Sequence, residues 1–263
     1  MKKICAILLS VGLMAAAVQA ADQATSVNVV GFVNQTVLPA GKLVLLGVPF
    51  VNIGTNTTTL EGILGTNQLR SASFYTLADR VLLWNGLSYS FYAINSTDGK
   101  FHNAQSFATW GQAATNPIVR PGDGIWIWAP ASAVGTNTIS MVGEVVSSSN
   151  SSVNISYGMN LLSHQFSCGL DVNNSSLTNS EVLGAAFYTT ADQIYVWDSS
   201  KQTYHKWAMN QSDRKWHYAD SFAQWGTGPV TNLINAGDGF WYRRLTNSVL
   251  NWTESSPYYN NLH

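Results

Sequence analysis

Three acidic or imidazole positions could carry chemistry, and each occurs twice. Asp123 stands between Gly122 and Gly124, and Asp238 stands between Gly237 and Gly239, 115 residues later. His102 and His217 are separated by the same 115 residues, and Asp79 and Asp192 by 113. Two carboxylates flanking a bond are what glycoside hydrolysis needs, yet Asp79 and Asp192 belong to different copies of the repeated pattern. An Asp between glycines caps its own turn, so Asp123 and Asp238 read as turn residues. Calcium would need about six oxygens, and acidic residues are too sparse around either position to supply them. A zinc site would need further ligands, and neither His102 nor His217 has a Cys or second His within a few positions. The Gly-x-Ser-x-Gly elbow of serine hydrolases is absent. The residues therefore point away from an enzyme, with no metal, cofactor or catalytic residue assigned.

The aromatic residues are the stronger signal. Ten Trp and eleven Tyr exceed what small cores hide, and exposed rings on a rigid sheet stack on sugars. Three Trp pairs recur, Trp84 with Trp197, Trp110 with Trp225 and Trp126 with Trp241, and recurrence marks them as core. The unpaired Trp128, Trp207 and Trp252 are the candidates for surface contact. Residues that diverge between copies are where an added function belongs. Trp207, Tyr242 and Arg243 are therefore the expected ligand surface, with Trp128 in the other copy. The competing reading makes Arg243 and Arg244 the charged guard of an edge strand.

These residues sit on a pattern written twice. Lys100-Phe101-His102 leads to Ser106-Phe107-Ala108 and Trp110-Gly111, and Lys215-Trp216-His217 leads to Ser221-Phe222-Ala223 and Trp225-Gly226. Phe74-Tyr75-Thr76 maps onto Phe187-Tyr188-Thr189 at the shorter offset, which implies a two-residue insertion between Trp197 and Lys215. Val81 to Trp84 and Gln193 to Trp197 read as strands from their β-branched and aromatic residues. Asn85-Gly86 has the residues of a tight type I′ hairpin, and Asp198 to Gln202 those of a looser one. Ile125 to Trp128 is apolar throughout, which predicts a strand buried on both faces. Phe240 to Arg244 loses that character and predicts an exposed strand end. Helix is confined to single turns around Leu60 to Leu64, Glu181 to Leu183, Ala104 to Trp110 and Ala219 to Trp225. Gly124 and Gly239 are expected to hold backbone angles that other residues resist.

The expected fold is all-β, with two homologous β-sandwich or partly open β-barrel units in tandem. The expected boundaries are a leader over 1–20, a first unit over 21–145 and a second over 146–263. Met141 to Val145 reads as both the closing strand of the first unit and the lead into the second, and the polar Ser147 to Ser156 joins them without a Pro or Gly hinge. Cys168, alone after the leader, reads as a small buried residue inside a strand.

Val30-Gly31-Phe32-Val33, the run Leu38 to Leu46, the aromatic hairpin at Trp84 and the Gly-Asp-Gly-aromatic-Trp turn together carry a resemblance. Nearly the whole chain after the leader resembles a family of secreted bacterial β modules, found as stand-alone exported proteins or attached to larger surface proteins. The resemblance implies export and an extracellular or surface role, and it carries no catalytic residues to transfer.

Composition agrees with that class. Lys2-Lys3, the apolar Ile4 to Val18 and Val18-Gln19-Ala20 have the three parts of a secretory leader. No later stretch is apolar enough to span a bilayer. Charged residues make up 10% of the chain and the net charge is −1, which excludes the basic surface that nucleic acid requires. Weak self-repulsion suits close association of copies. The sequence is therefore expected to encode a secreted, non-enzymatic surface or matrix protein that adheres or self-associates, with itself, envelope components or polysaccharide as partner. Glycan binding is the alternative and a secreted hydrolase the third.

Overall fold

The computed structural model describes residues 29–55, 57–104, 110, 114–219, 225 and 228–262. The expected leader and most of the turns over Ala104 to Trp110 and Ala219 to Trp225 lie outside the described residues. The chain is all-β. Its N-terminal half runs β1 (Val30–Leu38), β2 (Leu43–Gly47), β3 (Phe50–Val51), helix α1 (Leu60–Leu64), β4 (Arg80–Trp84), β5 (Tyr89–Asn95), β6 (Lys100–Asn103), β7 (Gly124–Trp128) and β8 (Asn137–Val145). The C-terminal half runs β9 (Asn150–Ile155), β10 (Gly158–Ser163), β11 (Gln193–Asp198), β12 (Thr203–Met209), β13 (Trp216–Tyr218), β14 (Gly239–Arg244), β15 (Leu250–Ser255) and helix α2 (Tyr259–Leu262).

Two five-stranded sheets dominate, ordered β2-β7-β4-β5-β6 and β10-β14-β11-β12-β13. Every ladder within them is antiparallel. A three-stranded sheet, β1-β8-β3, accompanies the first and the pair β15-β9 the second. Strand alternation splits each central strand between two cores. From β7, Ile125 and Ile127 enter a core shared with Phe50, Ile139, Met141 and α1, while Trp126 faces the other way. From β14, Phe240 and Tyr242 enter a core with Trp207, Trp216 and Trp252, and Trp241 faces the other way. The expected two-faced burial of the Ile125 strand is what is found.

The outward Trp faces meet. Leu45, Trp126, Leu161 and Trp241 are buried between the two five-stranded sheets, with Trp84, Tyr89, Trp197 and Tyr204 packed against them. The contacts come in matched pairs. Trp84 lies 5.2 Å from Trp241, and Trp197 lies 5.1 Å from Trp126. The Trp84 Nε1–H donates to the Met159 carbonyl at 3.0 Å, and the Trp197 Nε1–H donates to that of Leu43 at 3.1 Å. The Gly47 N–H donates to the Gly237 carbonyl and the Ser163 N–H to that of Gly122, both at 2.8 Å. Trp84 and Trp197 are consequently half-buried at this contact and not sealed in a core, as recurrence had implied.

Several local expectations change. Ser147 to Ser156 is mostly the strand β9, and Val142 to Val145 pairs with β1 and β3 and therefore closes the first half. Asn85-Gly86 is no two-residue turn. A four-residue loop runs from Asn85 to Ser88, with the Asn85 carboxamide accepting from the N–H groups of Leu87 and Ser88 at 2.9 and 2.8 Å. Helix α1 forms because Leu60, Ile63 and Leu64 share a buried face and Thr59 caps Gly62 N at 3.3 Å. Glu181 to Leu183 is not helical, Glu181 lying in a turn closed by Val182 N donating to Asn179 O at 3.2 Å, and short 3-10 turns fall earlier, at Val172–Asn174 and Ser176–Thr178. Cys168 is half-buried in a bend after β10, outside any strand.

In the Gly-Asp-Gly turns the left-handed angle belongs to the first glycine, with φ of 98° at Gly122 and 80° at Gly237. Gly124 and Gly239 are needed for a different reason. A Cβ on Gly124 would lie 2.9 Å from the Leu162 carbonyl, and one on Gly239 would lie 2.6 Å from that of Leu46. Those glycines permit the close approach of the two sheets.

Candidate functional site

The expected ligand surface does not assemble. Trp207 is 2% exposed and Tyr242 is fully buried, because both pair with Ile194 on the core-facing side of their sheet. Arg243 points to the opposite face, where its Nη1 donates to Gln193 Oε1 at 3.4 Å. Period-two alternation thus separates residues that are adjacent in sequence. Trp252, expected at the surface, is also buried. Trp128 is half-buried beneath the Arg80 guanidinium, 3.9 Å from its ring. The edge-strand reading of Arg243 and Arg244 fails as well, since β14 is flanked by β10 and β11.

The titratable groups that recur are spent on structure. Asp79 accepts from Arg70 N and Nη1, both at 2.9 Å. Asp192 accepts from Arg244 Nη1 at 2.7 Å, Tyr242 Oη at 2.9 Å and Leu245 N at 2.8 Å. Burial first, and then the neighbouring Asp192 charge, push the Tyr242 phenol well above its ordinary value. Asp123 caps its turn as expected, Arg120 N donating to its Oδ2 at 2.8 Å, whereas Asp238 Oδ2 accepts from the Asn235 side chain, Nδ2 at 2.9 Å. His102 and His217 each meet a carboxylate four residues earlier, Asp98 and Asp213, at 2.8 Å. Each also lies edge-on to a recurring indole, Trp110 or Trp225, at 5.9 Å. The His102 hydrogen bond, then the Lys100 N–H, hold the Asp98 carboxyl below its usual range. Burial works against the same effect at Asp213, where His217 and the Lys215 N–H still bring the carboxyl down. Among the described residues no cluster of three His, Cys, Asp or Glu could hold a metal ion.

Two arrangements look superficially nucleophilic. Cys168 Sγ lies 3.4 Å from His164 Nδ1. Burial raises the thiol and lowers the imidazole, so the neutral pair is favoured over a thiolate–imidazolium pair. Ser200, Asp198 and His205 lie together on the β11–β12 hairpin. The Ser200 Oγ–H donates to Asp198 Oδ1 at 2.6 Å, and His205 Nε2 lies 3.6 Å from Asp198 Oδ2. The carboxylate is in the middle, whereas activating a serine requires the imidazole there. Hydrogen bonds from Ser200 and the Lys201 N–H hold Asp198 far below the ordinary carboxylate range, which unsuits it to donate a proton.

That hairpin nevertheless borders a cleft. The ladder of the first hairpin ends on Trp84 and Tyr89, beyond which Asn85 N donates to Ser88 O at 3.1 Å, and that of the second ends on Asp198 and Thr203. The inferred two-residue insertion lies in the loop, which runs over 199–202 here and, inside the Asn85–Ser88 bond, over Gly86 and Leu87 in the first hairpin. It carries Gln202 across to β2, where its carboxamide receives Leu43 N and donates to Leu43 O, both at 2.9 Å. The bridge leaves a cleft of about 610 Å³ between β2 and the hairpin. Its floor is Val44 to Leu46, one wall is Trp197, and Asp198, His205, Asn235 and Asp238 supply polar groups. Sequence reasoning singled out the divergent hairpin but placed its weight on Trp207, which the strand carries inward.

No protein family matches the chain, and neither does any curated protein or solved structure. No helix among the described residues is long and apolar enough to cross a membrane.

Proposed function

We propose that this is an exported, non-enzymatic surface or matrix protein, built from a duplicated β unit, that works by adhesion or self-association. The observation supporting it is a pair of matched, exposed phenylalanines. Phe74 is 67% and Phe187 is 73% solvent-exposed. Each precedes a single 3-10 turn, with φ/ψ of −121/127° at Phe74 and −117/131° at Phe187. Neither ring contributes to its own core, so core packing gives no reason for Phe at either position. A large apolar side chain held outward on both halves serves contact with something else. Ile118 and Leu233 repeat the pattern, and both are exposed. The low charge removes the repulsion that would keep copies apart.

Light scattering coupled to size exclusion tests this reading. Mass is expected to rise with concentration, and Phe74→Ser with Phe187→Ser is expected to return it to that of one chain. A single-chain mass at every concentration, with no retention on cells or envelope fragments, would sink the reading.

A further inference from the structure

We propose that strand β1 is a seam between two copies of this chain, each lending its β1 edge to the other in an antiparallel pair. The pairing rests on self-association through Phe74 and Phe187 and supplies a second contact between copies so joined.

One edge of β1 is open. The strand stands at the end of the order β1-β8-β3, so only one of its sides is paired. The Val145 N–H donates to the Val29 carbonyl at 2.8 Å, and alternation along the ladder then sends the groups of Gly31, Val33 and Gln35 to β8. The N–H and C=O of Val30, Phe32 and Asn34 face the other way, and among the described residues no strand pairs with that side. Edges are commonly guarded by a charge or a proline, and Val30–Leu38 contains neither.

The outward face beside that edge is apolar. Phe32 is 68% exposed, Val30 52%, and Val142, opposite Phe32, 40%. The fold does not ask for this. Met141 and Trp252 both enter a core, paired with Val33 and Val153, which makes the next rungs equivalent in the two halves. On that rung the second half has Ser152 and Thr253, joined through their hydroxyls at 2.7 Å, where the first has Phe32 and Val142. The matching edge, β9, turns Asn150, Ser152 and Asn154 outward. Phe32 set beside that polar row would stay wet, so β1 is better matched to another β1.

A twofold axis at Phe32 gives every open group a partner. Phe32 would exchange N–H and C=O with its counterpart in the second copy, and Val30 with that copy's Asn34. The two rings then lie side by side on one face, between the two Val142 side chains. The irregularity between Gln35 and Val37 ends the regular edge.

Size decides the occupant. Val30 to Gln35 spans about 20 Å at ~3.4 Å per residue, and one strand of that length covers far less than the ~1,200 Å² of a stable complex. An independent partner would not be held there. Copies already joined elsewhere present the edge at high effective concentration, which a short seam can use.

Hydrogen–deuterium exchange on the full chain, read residue by residue, tests the seam at concentrations where light scattering shows the mass to rise. In dilute solution the amides of Gly31 and Val33 are expected to be protected and those of Val30 and Phe32 to exchange freely. On association Val30 and Phe32 are expected to slow by at least about tenfold, while Ser152 does not. Phe32→Lys, at an exposed position, is expected to leave melting and the rise in mass intact and to lose the slowing. The Phe74→Ser, Phe187→Ser chain is expected to show no slowing. Slowing that survives in either variant, or that appears at Ser152 instead, would overturn the proposal. A rise in mass with unchanged exchange at Val30 and Phe32 also overturns it, and leaves the contact through Phe74 and Phe187 standing. A single-chain mass at every concentration overturns the seam together with self-association.

Discussion

Asp79 and Asp192 occupy matching places just before β4 and just before β11, and both side chains are fully buried. Each accepts the N–H of a residue nine positions earlier, Arg70 or Leu183, at 2.9 and 3.1 Å. The neutralising cations differ. Asp79 uses Arg70, the same residue that donates its N–H, and that guanidinium is 15% exposed. Asp192 uses Arg244, which arrives from the far end of β14 and is 1% exposed. Where Arg244 and Tyr242 stand, the first half has Ala129 and Ile127, both buried. The carboxylate and its backbone partner are what the local turn requires. The cation is interchangeable, provided one reaches the site.

Replacing the two arginines should separate the halves most widely. Arg244→Met strands a charge in a dry core and should cost ~3–5 kcal/mol in chemical denaturation. Arg70→Met opens the carboxylate to water, so a smaller loss of ~1–3 kcal/mol is expected. Equal losses would show that exposure of the cation does not govern its worth here.

The glycines that let the sheets meet should behave alike. Gly124→Ala and Gly239→Ala each push a Cβ into backbone of the other half, at a cost of ~1–3 kcal/mol by thermal melting. A loss at only one of them would mean that the contact is less evenly shared than its paired hydrogen bonds imply.

The hairpins should not behave alike. Gln202→Ala removes the clamp on Leu43 and should cost ~1–2 kcal/mol, whereas Ser88→Ala in the shorter hairpin should be near neutral. Comparable effects would argue that the longer hairpin does not bind the halves together.

The smallest effect concerns acid. Asp98 and Asp213 are held below the ordinary carboxylate range, so their stabilisation is fully present above about pH 4 and fades as pH falls through the depressed values. Asp98→Asn and Asp213→Asn should each flatten the acid limb of stability against pH, and similarly. If either steepens it, the pairing with His102 or His217 is not what lowers the carboxyl.

Much of the fold was legible in the residues. Short runs of β-branched and aromatic side chains marked the strands, since their packing on a pleated surface is a local property. The continuous apolar run Ile125 to Trp128 announced burial on two faces, and Leu60, Ile63 and Leu64 announced one helical turn. The candidate surface was not legible. Trp207, Tyr242 and Arg243 looked alike as residues that depart from the repeated pattern, but facing is set by register. A shift of one position decides core or solvent, and no run of sequence states which partner strand fixes it. Glu181 to Leu183 failed for a related reason: Asn179 caps Glu181 N and Val182 is buried, but the segment lacks the three-residue buried face of α1.

By itself the sequence determined the strand content, the doubled motif, the turn role of Asp123 and the place where the two copies differ. Each follows from near neighbours in the chain, whose side-chain shape and backbone preference act over a few residues. Only the tertiary structure decided that Gly124 and Gly239 serve a contact and not a backbone angle. It alone brought Arg244 to Asp192, and it alone turned two inserted residues into a bridge from Gln202 to Leu43. The last two are meetings between residues 52 and 159 positions apart. They depend on which faces the strands present once the sheets have closed, and the local chain carries no record of that.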